Sequence, residues 1–108
     1  MLRAPLHVPV ELRLDARNRW FRLASLVSVD GVVLAHVAPE ELDGPVDVAF
    51  VLPGDAVPIR CRGRVSEERV GEGEDEHAER RAIVFADVDE PTRTRIAHYV
   101  NERSGLFA

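Results

Sequence analysis

The chain has 108 residues, of which 45% are hydrophobic, and this is enough for one domain with a single buried core. Its net charge of −5 argues against general binding to nucleic acids or anionic membranes, and no apolar run is long enough for a transmembrane helix. The single cysteine, Cys61, excludes an internal disulfide bond, so we expect a cytoplasmic protein. The length predicts that residues 1–108 form one domain.

The pattern of apolar residues predicts mainly β-structure. Residues 8–14 alternate, with Val8, Val10, Leu12 and Leu14 on one face, which is typical of a half-buried strand. Five further segments are rich in β-branched and apolar residues and lie between turn signals. The six predicted strands are 8–14, 19–29, 31–37, 46–52, 57–65 and 81–88.

The predicted strands are joined by segments of turn-forming residues. Tight turns are predicted at 15–18, at Asp30-Gly31 and at 53–55, where Asp, Asn, Gly and Pro supply the required backbone angles. A loop with two prolines is predicted at 38–45, and the charged, glycine-bearing residues 66–80 predict a long hairpin excursion.

One helix is predicted, near the end of the sequence. Asp89 or Glu90 caps it, Pro91 lies in its first turn, and it continues through residues 92–103 to a stop at Gly105. Its apolar stripe consists of Ile96, Tyr99 and Val100, flanked by Thr92 and Arg103. Six short strands and one late helix predict an antiparallel barrel or sandwich, since a parallel α/β fold requires helices between its strands.

The residue types that carry catalysis or bind metals are not grouped. The four histidines lack the spacing of a zinc site, and no nucleophile or phosphate-loop motif occurs. Alternation places Cys61 on the opposite face from Arg60 and Arg62, so we interpret it as a core residue. We therefore expect no enzyme activity, no catalytic residue, no metal and no cofactor. The histidines are His7, His36, His77 and His98.

Arg60, Arg62 and Arg64 alternate along one predicted strand, so their guanidinium groups share a face. Such a row is suited to an anion or to an acidic protein partner. The alternative is a solvated outer face on which the arginines pair across the sheet with Asp47 or Glu67.

The order of several segments resembles the PilZ domain, the bacterial receptor module for cyclic di-GMP, over residues 3–103. The resemblance rests on the segments Pro9–Leu14, Ser28-x-x-Gly31, Pro58–Val65 and Ala82–Phe85, and on a helix with Arg93, Arg95, Ile96, Tyr99 and Val100. It implies a six-stranded antiparallel β-barrel with a C-terminal α-helix. It also implies a role in cyclic-di-GMP signalling, with regulatory or motility proteins as partners.

The resemblance further implies a nucleotide site formed by two motifs. Ser28 and Gly31 match the end of the motif Asp/Asn-x-Ser-x-x-Gly, but Leu26 stands where a hydrogen-bonding residue is expected. Arg3 matches the first position of an N-terminal Arg-x-x-x-Arg motif, and His7 stands at the second. A histidine cannot form the bidentate phosphate contact of arginine, so we expect weak or absent cyclic-di-GMP binding.

The Arg-x-x-x-Arg spacing also occurs from Arg13 to Arg17, on the first predicted strand and turn, and we interpret this match as chance. We likewise expect that too few residues precede Arg3 to form a flexible ligand-binding arm.

Three functional hypotheses follow from these patterns. The first is a PilZ-like adaptor that binds proteins of motility, pili or secretion through an exposed apolar patch, for which the helix and the tail residues Leu106-Phe107 are candidates. The second is a cyclic-di-GMP receptor that uses Arg3, His7, Ser28, Gly31 and the Arg60–Arg64 row in a noncanonical arrangement. The third is a barrel that binds single-stranded nucleic acid. The acidic charge and the few aromatic residues disfavour the third. A homodimer stays open.

Overall fold

The computed structural model describes residues 2–34, 44–69 and 81–104. Within these ranges the chain forms β-strands followed by one helix. The elements are β1 (Ala4–Pro5), β2 (Pro9–Arg13), β3 (Arg19–Ser28), β4 (Gly31–Leu34), β5 (Pro45–Phe50), β6 (Ile59–Arg69), β7 (Arg81–Asp87) and α1 (Glu90–Ser104).

The strands form a closed antiparallel barrel. The sheet order is β1-β3-β2-β5-β6-β7-β4, and an additional pairing of β3 with β4 closes a ring of six strands, β2 to β7. Among the described strands, β1 pairs with β3 alone, on the edge that β2 also uses, so it extends the line of β2 after a short interruption. This confirms the predicted six-stranded barrel with a C-terminal helix and adds β1, which was not predicted.

The first hairpin turn is built around the Asp15 carboxylate. Its Oδ1 accepts hydrogen bonds from the backbone N–H groups of Arg17 (2.8 Å) and Asn18 (2.9 Å). These bonds lower the pKa of Asp15 below its ordinary value. The turn predicted at 15–18 is therefore confirmed, although Leu14, predicted on the inward face, is exposed beside it.

The second hairpin differs from its prediction by one residue. Ser28 pairs with Gly31, so the two-residue loop is Val29-Asp30 rather than Asp30-Gly31. The Ser28 hydroxyl supports this loop because Oγ accepts a hydrogen bond from the Asp30 amide at 3.2 Å. In addition, the Asp30 carbonyl accepts a hydrogen bond from the Phe85 amide, which ties the loop to β7.

Other boundaries move because pairing partners decide them. β5 begins at Pro45, which was predicted as loop, and β6 continues to Arg69, into the segment predicted as a hairpin excursion. The end of β6 is held by pairing with β7, since Arg69 lies opposite Arg81. Residues 35–37 of the predicted third strand, most of the predicted 38–45 loop and residues 70–80 lie outside the described residues. The turn at 53–55 is confirmed, with Gly54 at φ 84°.

The helix closes one end of the barrel. Asp89 caps it, because its Oδ1 accepts a hydrogen bond from the Thr92 amide at 2.9 Å. Ile96, Tyr99 and Val100 are buried, as the apolar stripe predicts. They join an inward-facing core whose largest fully buried members are Leu6, Leu12, Leu34, Ile59 and Ile83.

A salt bridge joins the helix to the turn between β5 and β6. The Arg95 guanidinium binds the Asp55 carboxylate through Nε (3.2 Å) and Nη2, and Nη2 also donates to the Val57 carbonyl.

Within the described ranges, no helix has the length and apolarity that crossing a membrane requires.

Candidate functional site: a groove beside the Ser28–Gly31 hairpin

A groove of about 400 Å³ runs along the outside of the barrel beside the Ser28–Gly31 hairpin. Residues of β3, β4 and β7 line it. Three residues that the resemblance implies for nucleotide binding, Arg3, Ser28 and Gly31, share this lining. His7 is exposed and lies outside it. The structure therefore brings together three of the four residues and separates the fourth from them.

Gly31 is required by the packing of two strands. An added Cβ at this position would collide with the backbone carbonyl oxygen of Ile83 and would lie 3.3 Å from the Cα of Val84. The backbone angle of Gly31 is not left-handed, so the constraint is space rather than conformation. The glycine of the Ser-x-x-Gly motif thus allows close approach of β4 and β7.

Ser28 is almost fully buried, with 7% of its surface exposed. Its hydroxyl oxygen accepts the Asp30 amide hydrogen within the hairpin loop. The motif serine therefore stabilises the loop from within, and little of it faces a ligand in the groove.

The lining of the groove is largely apolar where the resemblance implies hydrogen bonding. Leu26, two residues before Ser28, lines the groove and offers no hydrogen-bonding group. Val84 lines it as well and is 46% exposed. Hence this surface presents hydrocarbon to an approaching molecule.

The charges at the groove are few and opposed. Among the described lining residues, Arg3 is the cation and Asp30 is the acid. The Asp30 carboxylate lies 3.7 Å from Nη2 of Arg93 on α1. A phosphate entering the groove would therefore meet one arginine and a carboxylate that is only partly neutralised.

The arginine face has the predicted orientation. Arg60, Arg62 and Arg64 are all exposed, and Nε of Arg62 lies 3.5 Å from Oδ1 of Asp47. This is one of the two cross-strand pairs that the solvated-face alternative expects, whereas the side chain of Glu67 lies outside the described residues.

The strand register extends this pair into a row of alternating charge. Arg13 lies opposite Asp47, Asp47 opposite Arg62, and Arg62 opposite Asp87. Sequence reasoning missed the row because it crosses four strands, and only the register places these four residues side by side. Its acidic members reduce the attraction that Arg62 offers an anion.

Cys61 points away from the arginines, as predicted, and packs against the core. Burial raises the pKa of its thiol to about 11, and the nearby Asp87 carboxylate adds to the shift. The thiol is therefore protonated near neutral pH and is a weak nucleophile.

The described part of the chain contains no group of three or more His, Cys, Asp and Glu residues suited to a metal ion. His98 is exposed on α1, with Nε2 3.1 Å from Oε1 of Glu102. His36 and His77 lie outside the described residues.

The predicted strand-and-turn placement of Arg13 and Arg17 is confirmed, because Arg13 ends β2 and Arg17 follows in the first turn.

A closed six-stranded barrel with one C-terminal helix and a Ser-x-x-Gly hairpin defines a class of small domains, and solved structures contain this fold. The Bacillus subtilis inhibitor of motility, MotI/DgrA, matches with a TM-score of 0.76 and 12% identity, over 99% of this chain and 51% of that chain. The chain thus spans about half the length of that protein. The PilZ domain of CeSA from a cellulose-synthesizing bacterium matches with a TM-score of 0.56 and 19% identity, over 100% of both chains.

No family model and no curated protein sequence matches the chain. At such low sequence identities the structural matches show the fold, and by its fold the chain is a PilZ-like domain. The family resemblance inferred from the sequence is confirmed at this level.

Proposed function

We propose that this PilZ-like domain is a regulatory module that acts by contacting other proteins, with weak or absent binding of cyclic di-GMP. The observation that carries the proposal is the composition of the groove beside Ser28 and Gly31. Its described lining offers one arginine, Arg3, together with a leucine at the motif position where a polar residue is expected.

The chemistry of the nucleotide explains why this lining disfavours it. Cyclic di-GMP carries two phosphates and two guanine bases, so tight binding needs several charge-assisted and neutral hydrogen bonds. Each bond to a charged group is worth about 1.5–3 kcal/mol, and losing two removes two or more decades of affinity. Here Leu26 forms none, Ser28 is engaged in its own loop, and His7 lies outside the groove.

The same lining suits a protein surface. Leu26 and Val84 offer apolar contact at the groove, and Arg3 offers a charged contact at the same place. The sequence hypothesis placed the contact patch on the helix or the tail. The tail residues Leu106-Phe107 lie outside the described residues. On the helix, the exposed residues are polar or charged apart from Pro91. We therefore assign the contact to the groove and propose a protein of motility, pili or secretion as partner.

A cyclic-di-GMP receptor with a noncanonical site is the second candidate. It is favoured by one observation, namely that Arg3, Ser28 and Gly31 line one groove although Arg3 is distant from the others in sequence. In this alternative, Arg3 contacts a phosphate. Of the Arg60–Arg64 row, Arg64 lies nearest to the groove, because it pairs with the lining residue Val84.

Isothermal titration of the folded domain with cyclic di-GMP at near-physiological salt separates the two candidates. Weak or absent heat supports the adaptor, provided that circular dichroism shows a folded barrel. Saturable binding at micromolar affinity or tighter, lost in Arg3→Ala and kept in Arg17→Ala, overturns the adaptor in favour of the receptor, since Arg17 lies in the first hairpin turn, outside the groove.

A further inference from the structure

The outer surface of the barrel carries an apolar face that the proposed function does not use. The strand register places Leu23 of β3 opposite Pro9 of β2. Glu11 pairs with Ala49, so the same register two residues further along brings Pro9 beside Val51. Ala49 also pairs with Arg60, which in the same way brings Val51 beside Pro58. We call these four residues the apolar row.

The side chains of this region are unusually exposed for their type. Leu23 is 42% exposed, Val51 is 41% exposed, and Phe21 in the adjacent row is 55% exposed. A groove of about 500 Å³ passes over Pro9, Phe21, Val51 and Pro58. Contiguous exposed apolar surface of this kind marks a contact site.

Two charges of opposite sign accompany the apolar row. Glu11 and Arg60 line the same groove and lie on the two strands that flank β5, each opposite Ala49. Since neighbouring strands are about 4.8 Å apart, the two residues are separated by about 10 Å along the row. Neither side chain forms an ion pair with another residue in the described part of the chain.

This arrangement is complementary to itself. Consider a second copy that faces the first and is related to it by a two-fold axis parallel to β5, above Ala49. This rotation reverses the order of the strands across the face, and it keeps each residue at the same position along its strand. It therefore places Glu11 of one copy against Arg60 of the other, twice, and Pro9 against Pro58, twice. Val51 meets its own equivalent on the axis. In an isologous interface, residue i contacts residue j and j contacts i, which is the relation that this face provides.

We propose that this face, formed by the apolar row with Phe21, Glu11, Ala49 and Arg60, is a homodimer interface whose occupant is a second copy of the chain. A second copy supplies both complementary charges at the correct separation, and its Pro9, Val51 and Pro58 supply the apolar contact between them. The inference is independent of the proposed function, because the two grooves share no lining residue.

Sedimentation equilibrium of the purified chain, from low to high micromolar concentration, tests the proposal. We expect a reversible monomer–dimer equilibrium in the unaltered chain. Glu11→Arg and Arg60→Glu each place like charges in both symmetry-related pairs, and each is expected to weaken dimerisation at least tenfold. Arg64→Glu, on the same strand but outside the face, is the matched control and is expected to leave the dimer unchanged.

Charge exchange distinguishes a specific interface from a loss of folding. The double variant Glu11→Arg with Arg60→Glu restores both pairs and is expected to dimerise again. An equimolar mixture of the two single variants is expected to form a heterodimer, since one chain then carries only arginines and the other only glutamates at these positions. A monomeric unaltered chain at all concentrations, or a dimer that tolerates both single variants, overturns the proposal. Recovery of the dimer in neither the double variant nor the mixture overturns it as well.

Discussion

The Tyr99 hydroxyl donates a hydrogen bond to the backbone carbonyl of Pro5 at 2.9 Å, and so joins the helix to a strand 94 residues earlier in the chain. Pro5 belongs to the two-residue strand β1, which among the described strands pairs with the end of β3 alone. Arg3 precedes this strand and reaches the groove beside Ser28. The Tyr99–Pro5 hydrogen bond therefore helps to position the cation of the candidate site.

Replacing Tyr99 with Phe removes this hydrogen bond and keeps the buried ring. We expect the free energy of unfolding to fall by about 1 kcal/mol, which is the net contribution of a typical intramolecular hydrogen bond. Urea denaturation followed by circular dichroism measures the change. Arg103→Gln is the control, because it removes only the cation that lies 5.3 Å from the ring centroid, a contact worth about 0.5 kcal/mol at an exposed site. A larger loss in the control than in Tyr99→Phe would contradict the assignment.

Gly31→Ala is expected to separate β4 from β7 locally. The added methyl group meets the backbone of Ile83, which cannot rotate away, so we expect a loss of about 1–3 kcal/mol in stability. Hydrogen exchange of the Phe85 amide, which donates to Asp30, is expected to accelerate in this variant. Gly54→Ala is the matched control, because it strains a left-handed backbone but its added Cβ meets no atom within 4 Å. In this control, exchange of the Phe85 amide is expected to change only as far as the global free energy of unfolding changes.

The elements that could be predicted from the sequence are those with local signals. The helix start follows from Asp89 and Pro91, and the common face of the three arginines follows from the two-residue period of a strand. β1 was missed because Ala4-Pro5 is too short to show any period. The extension of β6 was missed because its charged residues have the composition of a loop, and only pairing with β7 makes them a strand.

The candidate site shows the same division between local and long-range information. The Ser28-x-x-Gly31 hairpin could be located from its residues, but the sequence does not place Arg3 inside the same groove or His7 outside it. Surfaces that cross several strands, such as the apolar row and the Arg13–Asp87 charge row, depend on register. Register is fixed by pairing between distant segments, so a single sequence does not reveal them.

Acid is expected to destabilise the fold through specific carboxylates. The hydrogen bond from Arg95 lowers the pKa of Asp55 below its ordinary value, and the bonds from Thr92 lower the pKa of Asp89 in the same way. The unfolded chain binds protons at these two carboxylates at higher pH than the folded chain does. Their contribution to the free energy of unfolding is therefore complete at pH values above the ordinary pKa of aspartate. It is lost as pH falls through the lowered values. Denaturant titrations across this acid range are expected to show the decline.

Arg95→Met provides the test of this cause. Without the guanidinium, the pKa of Asp55 is expected to return toward its ordinary value, so the variant is less stable near neutral pH and loses less stability on acidification. Asp15→Asn, in a turn remote from Arg95, is expected to reduce the acid sensitivity independently. Parallel acid profiles for the unaltered chain and Arg95→Met would contradict the role of this contact.

The Arg62–Asp47 pair is expected to add little to stability. The side chains of Arg62 and Asp47 are 68% and 61% exposed, and Nε of Arg62 lies 3.5 Å from Oδ1 of Asp47. A double-mutant cycle with Arg62→Gln and Asp47→Asn should give a coupling energy of about 0.2–1 kcal/mol, reduced by salt. Arg103→Gln with Asp47→Asn is the control cycle, for which coupling near zero is expected because Arg103 lies in the last turn of α1. A strong, salt-insensitive coupling would show that Arg62 is held in a more enclosed site than this surface provides.

Leu26→Asn tests whether the composition of the groove limits nucleotide binding. The substitution places a hydrogen-bonding amide on the groove, two residues before Ser28, where the motif carries Asp or Asn. One or two added neutral hydrogen bonds are worth about 1 kcal/mol in total, so affinity for cyclic di-GMP is expected to rise about fivefold. Titration calorimetry of this variant beside the unaltered chain measures the gain, and Leu14→Asn, which lies outside both grooves, controls for a change in surface polarity. Arg3→Ala in the Leu26→Asn background is expected to abolish the gain, since the arginine supplies the only cation among the described lining residues. Equal affinities of Leu26→Asn and the unaltered chain would show that another residue, and not Leu26, sets the affinity of this groove.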